Sequence, residues 1–201
     1  MNLTNMNLTK NTNILLALTC ALVVGCSDSN DPPANETSML GPGGDTPTVL
    51  SAYNGTYLQA CTLNDPLDPS DGAEVTTVVI AGDLATTTLM NYSDEACATP
   101  DLPAQVTIQS SIAYPGGTVQ TDLGIADFVD LTPESFTVDG QPPSAEEMTL
   151  ITQLGLLNPI FDILLLDGST LYSGDDSDEF DGESAANRPV ALDLNDVLVR
   201  Q

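Results

Sequence analysis

The chain has 201 residues, of which 41% are apolar, and its net charge at pH 7 is −26 because 29 acidic residues outnumber three basic ones. Binding to nucleic acid or to anionic lipid head groups needs clustered positive charge, so this composition excludes a nucleic-acid partner. The apolar content is typical of a folded chain, and the length is enough for one domain with its own core.

The N-terminal residues have the pattern of an export signal. Lys10 is the only charged residue before Cys26, and residues 14–24 form an apolar segment. A membrane-spanning helix needs about 20 apolar residues, so this shorter segment predicts a cleaved signal peptide over residues 1–25.

Cys26 directly follows the residues LVVG, and this motif resembles the lipobox of bacterial lipoproteins. In that class the cysteine thiol is acylated and the signal is removed before it, so the resemblance implies that Cys26 is the lipidation site and the contact with the membrane. Ser27, in place of the Asp that retains such proteins at the inner membrane, favours the outer membrane. The alternative is an ordinary signal peptide with an incidental cysteine.

Residues 26–50 are rich in Pro, Gly, Asp, Asn and Ser and have no apolar period. This composition predicts a flexible, lipid-anchored tether with a reach of roughly 25 Å. The folded domain is expected over residues 51–201.

From residue 51 onward, apolar and polar residues alternate with a period of two. Val106, Ile108 and Ile112, for example, alternate with polar residues, which indicates a half-buried strand. Gly82-Asp83 and Asp167-Gly168 fit tight hairpin turns. Similar strand segments occur at residues 55–63, 74–82, 84–92, 125–131, 134–138, 160–166, 169–174 and 190–199.

One segment has a helical period instead. Ser144 followed by Glu147 is a capping box, and Gly155 is a stop signal, so a helix is predicted over residues 145–154. Its apolar face, which would cap one end of a barrel, consists of Met148, Ile151 and Leu154.

About eight or nine strands with one short helix predict a mainly β fold. Closure of the sheet into an antiparallel barrel removes exposed edges, so a closed or nearly closed barrel is favoured. A two-sheet β-sandwich is the alternative that periodicity leaves open.

Four cysteines are present, of which Cys20 would leave with the signal and Cys26 would carry lipid. Outside the cytoplasm the remaining pair, Cys61 and Cys97, is most simply one disulfide. A redox-active pair is the alternative, but it would be expected at a closer spacing such as C-x-x-C.

Several short motifs resemble the pattern of small lipocalin-like bacterial outer-membrane lipoproteins: GTYLQAC, YSDEAC followed by TP, LYSGD and RPVALD. More distantly they resemble the extracellular domain of the adenomatosis-polyposis-coli down-regulated family. The resemblance runs from about Tyr53 to the end. It implies a calycin-type barrel with the paired cysteines and, in some relatives, an apolar interior that holds an acyl chain. The chain departs from the pattern at Tyr57, where Trp is commoner, and in an acidic insertion after LYSG, so no ligand-binding residue is carried over.

The residue types for common catalytic chemistry are missing. The chain has no histidine, and Lys10 is its only lysine, so Ser-His and Cys-His catalysis are excluded. Two carboxylates could cleave a glycosidic bond, but the chain has no Trp on which a sugar ring could stack. We therefore expect a protein that is not an enzyme.

The most acidic stretch is GDDSDEFDGES, residues 174–184. Calcium prefers six to eight oxygen ligands, so this stretch is a weak candidate for a calcium site, although its spacing is not that of an EF-hand. The alternative is a solvated hairpin loop, and no other cofactor is expected. The candidate ligands are Asp175, Asp176, Asp178 and Asp181.

Arg188 and Arg200 are the only cations after Cys26. A single Arg among so many carboxylates is expected to form a structural ion pair. The alternative for Arg188 is a role in binding an anionic ligand.

Two functions from different classes fit these expectations. The first is a binding module, in which an anchored barrel holds a small apolar or lipidic ligand. The second is a structural or interaction protein of the envelope with a filled core. The interior of a barrel of about eight strands can hold one small ligand or be filled by side chains. Small residues such as Thr86, Thr88 and Ser110 would leave space for a ligand if they point inward. An apolar cavity of about 300 Å³ or more would favour the first, and a packed interior the second.

Overall fold

The structure, a computed structural model, describes residues 48–64, 68–176 and 180–201. The predicted signal peptide, the predicted lipidation site Cys26, almost all of the predicted tether and Asp178 lie outside the described residues. Within the described ranges, no helix has the length and apolar composition that a membrane-spanning helix requires.

The described residues form ten strands and two α-helices. Helix α1 spans Thr48–Ala52 and helix α2 spans Ala145–Gln153. The strands are β1 (Gly55–Leu58), β2 (Thr62–Leu63), β3 (Ala73–Ala81), β4 (Leu84–Tyr92), β5 (Pro100–Ala113), β6 (Thr118–Gln120), β7 (Ile125–Val138), β8 (Ile160–Asp167), β9 (Thr170–Tyr172) and β10 (Leu198–Arg200).

Eight of these strands close into an antiparallel barrel. Their order is β1-β10-β9-β8-β7-β5-β4-β3, and β3 pairs in turn with β1, where Tyr57 lies opposite Val78. The short strands β2 and β6 lie off this ring and pair with β3 and β7. The predicted mainly β, lipocalin-like barrel is therefore confirmed. The β-sandwich alternative is wrong, because the strands form one closed sheet rather than two stacked ones.

Several predicted strands differ from the structure, and residues 55–63, for example, are divided between β1 and β2. Residues 125–131 and 134–138 belong to one strand, β7, which continues through Pro133 with a register shift against β5. In the segment 190–199 only the last two residues are in a strand, β10. Residues 191–193 pair only briefly with residues 173–175, through an isolated bridge between Gly174 and Leu192. The carboxylate of Asp193 then accepts hydrogen bonds from the backbone N–H groups of Asn195 and Asp196, and this turn ends the pairing.

Helix α2 begins and ends as predicted, within one residue. Ser144 Oγ accepts a hydrogen bond from Glu147 N at 3.3 Å, and Glu147 Oε2 accepts one from Ser144 N at 2.6 Å, which completes the capping box. Gly155 has a φ of +70°, a left-handed conformation that suits glycine after a helix.

The apolar face of α2 closes one end of the barrel. Ile151 is 6% exposed and packs in one cluster with the inward side chains of Leu89, Val106 and Phe136. Met148 and Leu154 pack against the same cluster, as the sequence predicted.

The opposite end of the barrel is closed by aromatic side chains. Tyr57 is fully buried, and its hydroxyl donates a hydrogen bond to the carbonyl oxygen of Tyr53 at 2.6 Å. The guanidinium carbon of Arg200 lies 5.2 Å from the centroid of the Tyr57 ring. Tyr53 in turn donates to Asp127 at 2.7 Å. The sequence did not predict α1, which precedes these residues, because residues 48–50 were assigned to the tether.

The predicted disulfide between Cys61 and Cys97 is confirmed, with an S–S distance of 2.06 Å. It joins the segment after β1 to the loop between β4 and β5. The bond closes a loop across a sequence separation of 36. The chain-entropy model gives such a bond roughly 3 to 4 kcal/mol of stabilisation.

Candidate functional site

A cavity of about 120 Å³ lies inside the barrel, between the cluster around Tyr57 and the cluster around Ile151, and it is partly open to solvent. Because barrel strands alternate inward and outward residues, every second residue of a wall strand reaches the interior. Most of the lining is apolar and comes from seven of the eight wall strands: Val78, Ile80, Ala85, Ile108, Ile112, Leu131, Leu164, Leu171 and Leu198.

Small side chains on two adjacent strands leave part of this space unfilled. Ser110 of β5 lines the cavity, as expected if it points inward. On β4 the lining residues are Ala85 and Thr87. Thr86 and Thr88 therefore lie on the opposite face of β4, and the suggestion that they line the interior is wrong. Composition alone does not decide which alternate set of residues points inward.

One part of the cavity lining is polar, and we call it the polar end. It includes Asp162 of β8 and the segment that follows β9, with Ser173, Gly174 and Asp176. Asp162 Oδ1 accepts hydrogen bonds from the backbone N–H groups of Ile163, at 2.7 Å, and Gly174, at 2.9 Å. The bond from Gly174 holds the segment after β9 against β8.

Gly174 is required for this close approach. A Cβ atom at this position would lie 2.6 Å from Asp162 Oδ1 and 2.4 Å from the Cβ of Pro189. Any larger residue would therefore push the segment away from β8 and disturb the polar end of the cavity.

Both carboxyl groups at the polar end hold their protons more strongly than usual. Loss of hydration raises the pKa of Asp162 to about 6, although its two backbone hydrogen bonds and the charge of Arg188 oppose the shift. Loss of hydration also raises the pKa of Asp176 to about 8. Negative neighbours add to this second shift, namely Asp162, Asp175, Asp181 and Asp193. The polar end is therefore neutral in mild acid and becomes anionic as the pH rises.

These pKa shifts predict that the folded protein loses stability as the pH rises. In the unfolded chain both carboxyls ionise near pH 4, whereas in the folded chain they keep their protons to about pH 6 and about pH 8. Between these values the folded state binds more protons, so the free energy of unfolding falls with increasing pH. Asp176→Asn removes one of these groups and is expected to raise the free energy of unfolding at about pH 8 by roughly 1 to 3 kcal/mol, with little effect at about pH 4, where the carboxyl of the unfolded chain only begins to ionise.

Denaturant unfolding at both pH values measures this effect. Asp167→Asn is the matched control, because Asp167 is an exposed residue at the end of β8 and its replacement removes the same charge away from the cavity. An equal gain in both variants would show that general charge repulsion, and not the cavity, causes the pH dependence.

Arg188 lies on the outer side of the part of the barrel wall that contains Asp162. It is 7% exposed, and its Nη2 forms an ion pair with Asp130 Oδ1 at 2.5 Å. Its Nη1 donates to the carbonyl oxygens of Val129, at 2.5 Å, and Asp162, at 2.6 Å. The expected structural ion pair is confirmed, and Arg188 is not among the residues that line the cavity.

The acidic candidates for calcium binding that the structure describes have different surroundings. Asp176 lines the cavity, Asp175 is exposed, and Asp181 accepts a hydrogen bond from the backbone N–H of Glu183. Asp178 lies outside the described residues, and among the described ones no group of three or more acidic, Cys or His side chains is placed to hold a metal ion. The calcium site stays a prediction.

Sequence reasoning missed Asp162 as a site residue. A signal was available, because Asp162 is the one charged residue inside the apolar run IFDILLL. Burying an acidic side chain in an otherwise apolar strand costs free energy unless the acid is paired, so such a residue is often kept for a function. This pattern marks Asp162 as a candidate site residue.

Comparison with known proteins adds no identification. No protein-family model matches the chain, and no curated protein matches it. The interpretation of the cavity therefore depends on its residues and its geometry.

Proposed function

We propose that this protein is an anchored, non-enzymatic binding protein whose barrel holds one small apolar ligand. The observation that carries this proposal is the unfilled interior cavity of about 120 Å³ with its mainly apolar lining. An apolar cavity of about 150 Å³ in another protein is large enough for benzene or xenon, whereas pockets for drug-sized ligands have about 300 to 1,000 Å³. The volume thus supports a compact ligand rather than the acyl chain that the resemblance implies.

The proposed location is the bacterial outer membrane, with lipid on Cys26, residues 1–25 removed and residues 26–50 as the tether. The lipobox-like LVVG before Cys26 supports the anchor, and the disulfide supports an oxidising compartment. The closed barrel is compatible with a relationship to lipocalin-like lipoproteins. Cys26→Ser is expected to move the protein out of the membrane fraction, and a variant that stays there would contradict the anchor.

We propose no reaction for the cavity. Its titratable groups among the described residues are the two carboxyls, and the chain has no histidine to act as a base beside them.

Filling the cavity is expected to abolish ligand binding. Thr87→Leu adds apolar volume to the lining, whereas Thr86→Leu adds the same volume on the opposite face of β4. We expect mass spectrometry of an organic extract to find a compact apolar compound with the wild-type protein and with Thr86→Leu, but not with Thr87→Leu. The protein should be purified from the envelope of its own host, so that it meets its natural ligand.

The second candidate is a structural envelope protein with no ligand. It is favoured by the closure of both barrel ends and by a cavity below the volume of ordinary ligand pockets. A clean extract from the wild-type protein, together with no binding of added small apolar compounds, would establish this candidate and overturn the binding proposal.

A further inference from the structure

The polar end of the barrel cavity contains two acids and no base. Asp162 and Asp176 line it beside Ser173 and Gly174, and none of the described residues that line the cavity is basic. Neither carboxyl therefore has a positively charged partner inside the cavity. A buried carboxylate without such a partner is costly, and this cost is what a bound ligand of the right charge would remove.

The nearby cation, Arg188, does not supply this partner. Its guanidinium nitrogens donate to the carbonyl oxygens of Val129 and Asp162 and to the carboxylate of Asp130. The guanidinium carbon also lies 4.9 and 5.6 Å from the centroids of two aromatic rings, those of Phe128 and Phe161. Arg188 is held on the outer side of the wall, where it contacts the backbone of Asp162 instead of its carboxyl group.

We propose that the ligand is a small amine, with its apolar body among the inward side chains of the barrel and its ammonium group at the carboxylates of Asp162 and Asp176. This inference rests on the proposed function and specifies the ligand of the same cavity. An ammonium group offers three hydrogen-bond donors and the missing positive charge. The net charge of −26 also attracts cations to the protein and repels carboxylate ligands of the same size.

The proton balance makes this binding depend on pH. Loss of hydration and the carboxylates around it raise the pKa of Asp176 to about 8. An alkylammonium, like the lysine side chain, keeps its proton to about pH 10. At neutral pH the ammonium thus enters with its proton, and Asp176 releases its own proton to water. The affinity for the amine is expected to rise from about pH 5 to about pH 8. The charged groups that surround Asp162 and Asp176 and set this range are Asp175, Asp181, Asp193 and Arg188.

Three compounds with the same ring and different head groups test the inference. Calorimetry of the purified full-length protein should compare cyclohexylamine, cyclohexanol and cyclohexanecarboxylate. At about pH 8 we expect cyclohexylamine to bind at least tenfold more tightly than cyclohexanol, and cyclohexanecarboxylate to bind most weakly. At about pH 5 the advantage of the amine should disappear, because both carboxyls are then protonated.

Variants separate the cavity from the acidic surface. Asp176→Asn should remove most of the tenfold advantage of cyclohexylamine over cyclohexanol. Asp167→Asn, which removes the same charge from an exposed residue of β8, should keep the advantage. Thr87→Leu should abolish the binding of both compounds.

The outcomes distinguish failure of the inference from failure of the proposed function. Equal affinities for cyclohexylamine and cyclohexanol would overturn the amine preference and leave a neutral apolar ligand. Amine binding that persists in Thr87→Leu would also overturn it, since the site would then be the acidic surface. No binding of any of the three compounds would overturn the proposed function itself.

Discussion

Replacing Ile151 by Asp is expected to lower the free energy of unfolding by more than about 4 kcal/mol or to prevent folding. Ile151 is 6% exposed and packs against Leu89, Val106 and Phe136 at the end of the barrel that α2 closes. The substitution removes apolar contacts and places a carboxyl group in a cluster that offers it no partner. Thermal and denaturant unfolding measure the loss.

Two further variants in α2 control for this result. Thr149→Asp introduces the same charge at an exposed position of the helix and should change the free energy of unfolding by less than about 0.5 kcal/mol. Ile151→Val should fold and cost about 0.5 to 1.5 kcal/mol, which gives a graded measure if the Asp variant does not fold. Normal unfolding of Ile151→Asp would show that α2 does not close the barrel.

Replacing Arg188 by Met is expected to cost about 3 to 5 kcal/mol. The guanidinium group joins three positions of adjacent strands, because it donates to Val129 and Asp162 carbonyls and pairs with Asp130. Met has a similar length but supplies no donor, so the carbonyl oxygens of Val129 and Asp162 lose a hydrogen bond inside the packed wall, and the carboxylate of Asp130, which is 30% exposed, loses its ion pair. The same unfolding measurements apply.

The comparison with Arg188→Lys shows which property of Arg188 matters. Lys keeps the positive charge but lacks the planar fork that reaches several acceptors at once and stacks on aromatic rings. We expect an intermediate loss for Arg188→Lys and a smaller one for Asp130→Asn, which keeps an acceptor oxygen. If Arg188→Met unfolds like the wild type, the buried guanidinium group and its contacts make no net contribution to the free energy of unfolding.

The position of Arg188 also explains why the cavity stays acidic. Its side chain is committed to the outer side of β7 and β8, where Phe128 and Phe161 stack on it. The chain has one other cation after Cys26, Arg200, and this residue donates to the hydroxyl of Tyr57 at the far end of the barrel. Both arginines make contacts outside the cavity, so neither supplies a positively charged partner for the carboxyls of Asp162 and Asp176 inside it.

Local patterns in the sequence determined most of the strand segments, helix α2 and the cysteine pair. The period of two in strands such as β3 and β4 reflects the alternation of side chains along one strand, so it needs no knowledge of the partners. The capping box of Ser144 and Glu147 is equally local, because its two hydrogen bonds lie within four residues. The choice of a barrel over a sandwich followed from the general cost of exposed sheet edges, and the closed ring confirms it.

Only the tertiary structure decided which residues form the site. Asp162 and Asp176 belong to different segments, and the chain must turn at the end of β9 before both can line one cavity. The phase of β4, which points Thr87 and not Thr86 into the barrel, depends on register with its neighbours. The contacts of Arg188 span separations of 58 and 59 residues. Such positions follow from closure of the whole sheet, and closure is a property of all the strand pairings together rather than of any one segment.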